Sequence, residues 1–231
     1  MPANSQCVVL CVALGPIEHR TDEGLRELER RGYKVWRSKG FSAIDQGRNV
    51  LAADALSQGF QETLWIDPDV AFEPDGVERL RSHPLPIVAG IYPQKGRRSL
   101  SCHLMPGTEK VVLGQDGGLL EILYAAAGFL LVRRAAYETI REKLQLPPCN
   151  ARFGRPFWPF FQPLVTQPES GTEQPRLLAH DFAFCERARQ SGLKIMADTT
   201  IRLWHLGSYP FGWEDADRTA ERFDTYHYHV E

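Results

Sequence analysis

The stretch that most constrains this chain is Leu64-Trp65-Ile66-Asp67-Pro68-Asp69, where a short apolar run stops at two carboxylates held one residue apart. A continuous apolar run of this length suits a strand buried on both faces of a parallel sheet. Open α/β sheets bind ligands in the crevice beyond the carboxyl ends of their strands. The sequence therefore carries a pair of acids to the edge where such folds do chemistry. Pro68 fixes its own φ and lacks a backbone donor, which stiffens the pair. Hard cations such as Mg²⁺ and Mn²⁺ prefer carboxylate oxygens, often one or two of them together with substrate phosphates. Asp67 and Asp69 are thus candidate ligands for a cation on a nucleotide diphosphate. An Asx turn is the other reading of the same acids, leading into the helix that Pro74-Asp75-Gly76-Val77-Glu78-Arg79-Leu80 predicts.

Upstream, Cys7 to Leu14 (CVVLCVAL) predicts a buried strand closed by Gly15-Pro16. Thr21 to Arg31 predicts a helix with Leu25 and Leu28 on one face and Gly32 as its stop. Tyr33-Lys34-Val35-Trp36 follows as a second strand. This β-α-β opening is how a nucleotide-binding half-sheet begins. It carries no Gly-x-Gly-x-x-Gly and no Gly-Lys-Ser/Thr, which disfavours a dinucleotide fold and a P-loop. Ser42 to Ser57 predicts a helix, with Ser42 and Asp45 as a capping pair. Arg48 lies early in it, suited either to a planar fork on phosphate or to a salt bridge on a solvated face.

Downstream, Ile87 to Tyr92 predicts a third strand, and Lys95, Arg97 and Arg98 a basic loop that could meet phosphate or simply face water. Residues 99–122 read as β-hairpin material. Ala125-Ala126-Ala127-Gly128 leads into a strand, a pattern expected where backbone passes close to a ligand or to another element. Ala135 to Leu144 predicts a helix. From Leu146 to Pro175 the chain is rich in proline, with Phe157, Trp158, Phe160 and Phe161 clustered. Such a loop serves either as a binding surface or lid, or as a segment pinned to the core by its own aromatics. His180-Asp181 opens a helix stopped by Gly192. Asp181 falls on the stripe of Phe182, Phe184, Cys185 and Ala188, which fits a general base or a plain N-cap. His205, among Leu203, Trp204 and Leu206, is either a hydrogen-bonded core residue or a ligand. The tail adds Glu214-Asp215 and the pair His227 and His229.

Composition sets outer limits. The 231 residues are 43% hydrophobic and 24% charged, enough for one substantial core, and the net charge of −2 gives no support for a nucleic-acid partner. Five cysteines without metal spacing predict no disulfide framework. No run approaches the roughly 20 apolar residues that span a bilayer. With no basic leader before an apolar stretch, the expectation is a cytoplasmic protein.

Taken in order, these marks resemble a GT-A fold glycosyltransferase of the family-2-like sort. The residues that carry the likeness are the first apolar strand, Arg48-Asn49, Leu64-Trp65-Ile66-Asp67-Pro68-Asp69, Ala127-Gly128-Phe129, His180-Asp181 and Leu203-Trp204-His205. The resemblance implies one α/β domain with a Rossmann-like, mostly parallel mixed sheet flanked by helices. Residues 1–95 would form its nucleotide-binding half and 96–231 its acceptor half, including the loop 146–175. It implies a nucleotide-diphosphate sugar as donor, an acceptor hydroxyl, and Mn²⁺ or Mg²⁺ held by Asp67, Asp69 and His205. Arg48, Lys95 and Gly128 would join Asp67 and Asp69 in contacting the donor. Asp181 would be the base of an inverting reaction. His180 stands where the family has Glu, which leaves Glu214-Asp215 as a rival pair. A nucleotidyltransferase that makes nucleotide sugars, or a binding module without catalysis, would share much of this pattern. Gly15-Pro16-Ile17-Glu18 supplies no Gly-rich basic loop for the former.

Overall fold

Alternation along the first strand decides the layering. β1 (Cys7–Val12) is buried at every position. Cys7, Val9 and Cys11 pack with Leu25 and Leu28 of α1 (His19–Arg30). Val8, Leu10 and Val12 pack with Leu51, Ala52 and Ala55 of α2 (Ile44–Ser57). A strand covered on both faces has no polar side to show, so it reads as one apolar run. The computed structural model describes residues 3–166 and 174–216.

The chain continues as β2 (Lys34–Ser38) before α2, then β3 (Glu62–Ile66), β4 (Val70–Phe72), α3 (Asp75–Ser82) and β5 (Ile87–Gly90). It goes on through β6 (Cys102–Leu104), β7 (Leu119–Ala125), β8 (Phe129–Arg133) and α4 (Arg134–Lys143). It closes with β9 (Leu164–Thr166), β10 (Arg176–Leu178), α5 (His180–Gln190), β11 (Ile195–Asp198), β12 (Leu203–Leu206) and β13 (Pro210–Phe211). Eight strands form one sheet in the order β2-β1-β3-β8-β5-β11-β7-β6. β1, β2 and β3 run parallel, as do β5 and β11, whereas β8 runs antiparallel to both β3 and β5, between which it sits. The result is the mixed, mostly parallel α/β sheet that the sequence predicts. α1 and α3 cover one face, and α2, α4 and α5 the other.

β8 matters for position. Because it is reversed, its first residue Phe129 pairs with the last residue of β3, Ile66. The turn that precedes β8 therefore lies beside the acids that follow β3. A second small sheet, β13-β12-β4, lies at the same edge and sets His205 opposite Val70.

Element ends differ from expectation in a few places. α2 starts at Ile44 after Ala43, with no side-chain cap, so Ser42 and Asp45 do not form the capping pair. β1 stops at Val12, and Leu14 is 62% exposed. Gly32 and Gly192, with φ of 88° and 83°, sit just past α1 and α5 in the left-handed conformation that ends helices. Among the described residues, no helix is long and apolar enough to cross a membrane.

A buried acid ties α3 to the sheet. Asp198, at the end of β11, has no exposed surface and accepts from Arg79 Nε at 2.7 Å. His83 Nε2 lies 2.8 Å away, and Thr200 donates its N–H at 3.0 Å and its hydroxyl at 2.6 Å. Burial pushes the Asp198 carboxyl up, but the bonds from Thr200, His83 and Arg79 outweigh it and hold it below the usual range. A depressed carboxyl stabilises the fold above its unfolded pKa of about 3.9 and loses that contribution as pH falls. Asp198→Asn should therefore be less stable than the native chain near pH 7 by about 1–3 kcal/mol. The gap between the two in denaturant titrations should narrow as pH drops below about 4.

Candidate active site

The site begins where β3 ends. Asp67 stands two residues past Trp65, so alternation keeps it on the α2 side of the sheet. There Arg48 Nη2 donates to Asp67 Oδ1 at 2.6 Å. Arg48 is only 1% exposed, and its guanidinium lies 5.2 Å from the Trp65 ring and 5.9 Å from that of Phe161. Its Nη1 reaches the Ala127 carbonyl at 3.5 Å. Arg48 thus does not sit on a solvated helix face: it turns inward and holds the first acid.

The backbone of Asp67-Pro68-Asp69-Val70 is fixed on all sides. The Asp67 N–H donates to the Gly128 carbonyl at 3.1 Å, and the Val70 N–H closes a turn onto the Asp67 carbonyl at 3.2 Å. The Pro68 carbonyl accepts from the Glu18 N–H at 2.8 Å and the Asp69 carbonyl from the Leu206 N–H at 2.7 Å. The Asx-turn alternative therefore does not describe these acids, whose turn is closed by main chain.

Asp69 meets different partners. Lys95 Nζ donates to its Oδ2 at 2.6 Å, and His205 Nε2 lies 3.6 Å from the same oxygen. His205 Nδ1 lies 2.9 Å from the Pro93 carbonyl. A carbonyl can only accept, so Nδ1 carries a hydrogen, and in the neutral ring Nε2 turns its lone pair toward Asp69. Burial works against the Asp69 charge, but the His205 ring, when Nε2 also carries a hydrogen, and Lys95 prevail and hold its pKa at about 2.

This donor set bears on a metal. Among the described residues, no three carboxylate, imidazole or thiol groups stand close enough to hold a cation by themselves. The expected trio of Asp67, Asp69 and His205 is therefore not gathered as a closed cluster, and Arg48 holds Asp67 Oδ1. Asp69 Oδ2 and His205 Nε2 nevertheless stand 3.6 Å apart, with the Lys95 ammonium on the same oxygen. Two protein donors completed by substrate phosphate oxygens form an ordinary Mg²⁺ or Mn²⁺ shell, so the residues fit a cation that arrives with a diphosphate.

Gly128 is the closest packing point of the site. A Cβ there would lie 2.1 Å from the Tyr92 hydroxyl and 2.8 Å from Asp67 Oδ2. Backbone does pass close to another element at this glycine, as the small-residue pattern allows. Tyr92, read in the sequence only as the end of an apolar run, brings its buried hydroxyl into the acid corner. No sequence signal distinguishes it from the core residues around it. Burial pushes its phenol up, and the charges of Asp67 and Asp181 push it further.

Asp181 is the second residue of α5, whose N-cap is Ala179, so it is not the N-cap. Its Oδ1 accepts from the N–H of Phe182 at 2.8 Å. Its neighbour His180 is kept neutral first by burial and then by the charge of Arg48, and its Nδ1 is buried without a hydrogen-bond partner among the described residues. The rival acids are otherwise engaged. Glu214 accepts from Arg202 with both oxygens at 2.8 Å, and Asp215 accepts from the Tyr209 hydroxyl at 2.6 Å and the Gly212 N–H at 2.8 Å. His227 and His229 lie outside the described residues. In the proline-rich loop, Phe160 and Phe161 are fully buried, and Asn49 accepts from the Phe161 N–H at 2.7 Å. Those two aromatics pin the loop to the core.

No protein-family model matches the sequence, and no curated protein matches it. Among solved structures, the chain is similar to A197 from STIV, with 13% identity over 96% of this chain and 99% of that one and a TM-score of 0.58. That is a likeness of fold over nearly the whole length. GalNAc-T7 with UDP, GalNAc and Mn²⁺ aligns at 12% identity over 94% of this chain and 47% of that one, with a TM-score of 0.49. A Drosophila β-1,4-galactosyltransferase 7 complexed with manganese, UDP-Gal and xylobiose aligns at 14% identity over 94% and 76%, with a TM-score of 0.40.

The tight corner gives a direct check. Gly128→Ala forces its methyl into the Tyr92 hydroxyl and Asp67, and overpacking of this kind costs about 1–3 kcal/mol. The variant should melt at a lower temperature. Adding Tyr92→Phe, which removes the nearest oxygen, should recover part of the loss in the same assay.

Proposed function

We propose that this chain is a metal-dependent glycosyltransferase of GT-A type. It would move a sugar from a nucleotide-diphosphate donor to an acceptor hydroxyl with inversion. The observation that carries the reading is the division of labour at the end of β3: Asp67 is locked by Arg48, while Asp69 faces Lys95 and His205. The reversed strand β8, which brings Gly128 against Asp67, supports the same reading.

In this account the donor lies over the β3 end, within the half made by residues 1–95, and the acceptor enters from the half made by 96–231. Mn²⁺ or Mg²⁺, bound through Asp69 and His205 with Asp67 beside them, would neutralise charge on the departing diphosphate. Lys95 would add its positive charge on the same side. The acceptor oxygen forms the new bond to the anomeric carbon as the bond from that carbon to the diphosphate oxygen breaks. Asp181 takes the acceptor hydroxyl proton. His180, kept neutral beside it, brings no positive charge of its own to the start of α5. Gly128 lets the Tyr92 hydroxyl and Asp67 close against the turn before β8, a packing that any side chain would disturb.

The test is turnover of a panel of nucleotide-diphosphate sugars with Mn²⁺. Asp69→Ala should abolish transfer and donor hydrolysis. Asp181→Asn should lower transfer by about 10²–10⁴-fold, the usual range for loss of a general base. Unchanged turnover in Asp69→Ala overturns the proposal.

A further inference from the structure

Beside Asp181 lies a set of rings that the chemistry above does not use. His103 on β6 and Tyr124 on β7 are cross-strand partners, with ring centroids 5.6 Å apart. Phe182 of α5 stacks on Tyr124 at 5.5 Å with 24° between planes and closes on His103 at 4.6 Å. Tyr124 is buried, its hydroxyl bound to Glu186 at 2.9 Å, whereas Phe182 is half-buried and His103 exposed. His103 is tilted 49° from Tyr124 and 53° from Phe182, so the three rings form an angled shelf, with Tyr124 as its buried floor and His103 and Phe182 as its more exposed parts. Phe182 is also the residue whose N–H holds the Asp181 carboxylate at 2.8 Å. Shelf and acid are joined through one peptide.

We infer that this shelf is the acceptor subsite and that the acceptor is a saccharide, whose ring lies on His103 and Phe182 with a hydroxyl directed to Asp181. The inference rests on the glycosyltransferase reading and adds to it the acceptor class. The apolar face of a pyranose carries C–H groups that suit the negative face of an aromatic ring. Its hydroxyls remain free for polar partners. Burial lowers the basicity of His103, and Arg176 lowers it further, so the exposed ring is an uncharged surface near pH 7. A shelf of two rings, one of them a partly polar imidazole, suits a single sugar ring better than a long hydrocarbon tail.

Saturation-transfer NMR on the full chain tests this. The probes are methyl glycosides of glucose, galactose, mannose, xylose and N-acetylglucosamine, with farnesyl phosphate as the lipid probe. At least one glycoside should receive saturation at its ring protons. His103→Ala combined with Phe182→Leu should abolish that transfer, and His103→Tyr should retain it. Thermal unfolding of each variant reports whether it is folded. Transfer to no glycoside, to farnesyl phosphate alone, or undiminished transfer in the folded double variant overturns the inference. A parallel melt of the native chain with Mn²⁺ and a nucleoside diphosphate separates the two claims. A raised midpoint with no glycoside signal sinks the shelf alone, and a glycoside signal without a raised midpoint sinks the donor site alone.

Discussion

The ion pair between Arg48 and Asp67 is what the rest of this edge depends on. A guanidinium taken almost wholly out of water is expensive unless its charge is met, and removing one partner of such a pair typically costs 3–5 kcal/mol. Here the charge is met by Asp67 at 2.6 Å, with the Trp65 and Phe161 rings beside it. Each of those rings is anchored in turn. The Trp65 indole donates to the Tyr137 hydroxyl at 2.9 Å, and Phe161 stacks on Phe184 of α5 at 4.7 Å. One buried cation therefore links α2, the end of β3, the loop before β9 and α5.

That link explains why two acids separated by one proline behave so differently. Asp67 is committed to the interior, and Pro68 leaves no amide hydrogen to compete for its backbone partners. Asp69 is carried past the sheet edge to Lys95 and His205, each on another segment. Arg48 also acts toward α5, where its charge helps keep His180 neutral at the residue before Asp181. The donor side and the acceptor side of the proposed reaction thus meet at one buried guanidinium.

Much of this was legible in the sequence. CVVLCV, buried on both faces, and Leu64-Trp65-Ile66 before its acids announced a covered sheet and the edge at which those acids stand. The glycines after α1 and α5 marked where those helices end. What could not be read was direction and depth. The apolar run of β8 gives no sign that it is reversed between β3 and β5, because burial on both faces looks alike in either sense. Arg48 had two readings, a fork on phosphate or a salt bridge on a solvated helix face, and only tertiary partners 19 and 112 residues away turn it and Asn49 inward. Phe160 and Phe161 had equal claim to a lid or a core until their packing was seen. Tyr92 carried its decisive group, a hydroxyl, at the end of a run that any apolar residue would satisfy.

The central claim is that the end of β3 splits into a structural acid and a ligand acid. Pulsed electron paramagnetic resonance of Mn²⁺ bound with a nucleoside diphosphate tests it most directly. A nitrogen coupling from one imidazole should be present and should disappear in His205→Gln, and Asp69→Asn should lose the bound signal. A Mn²⁺ signal without that coupling, or one that survives Asp69→Asn at undiminished affinity, would contradict it.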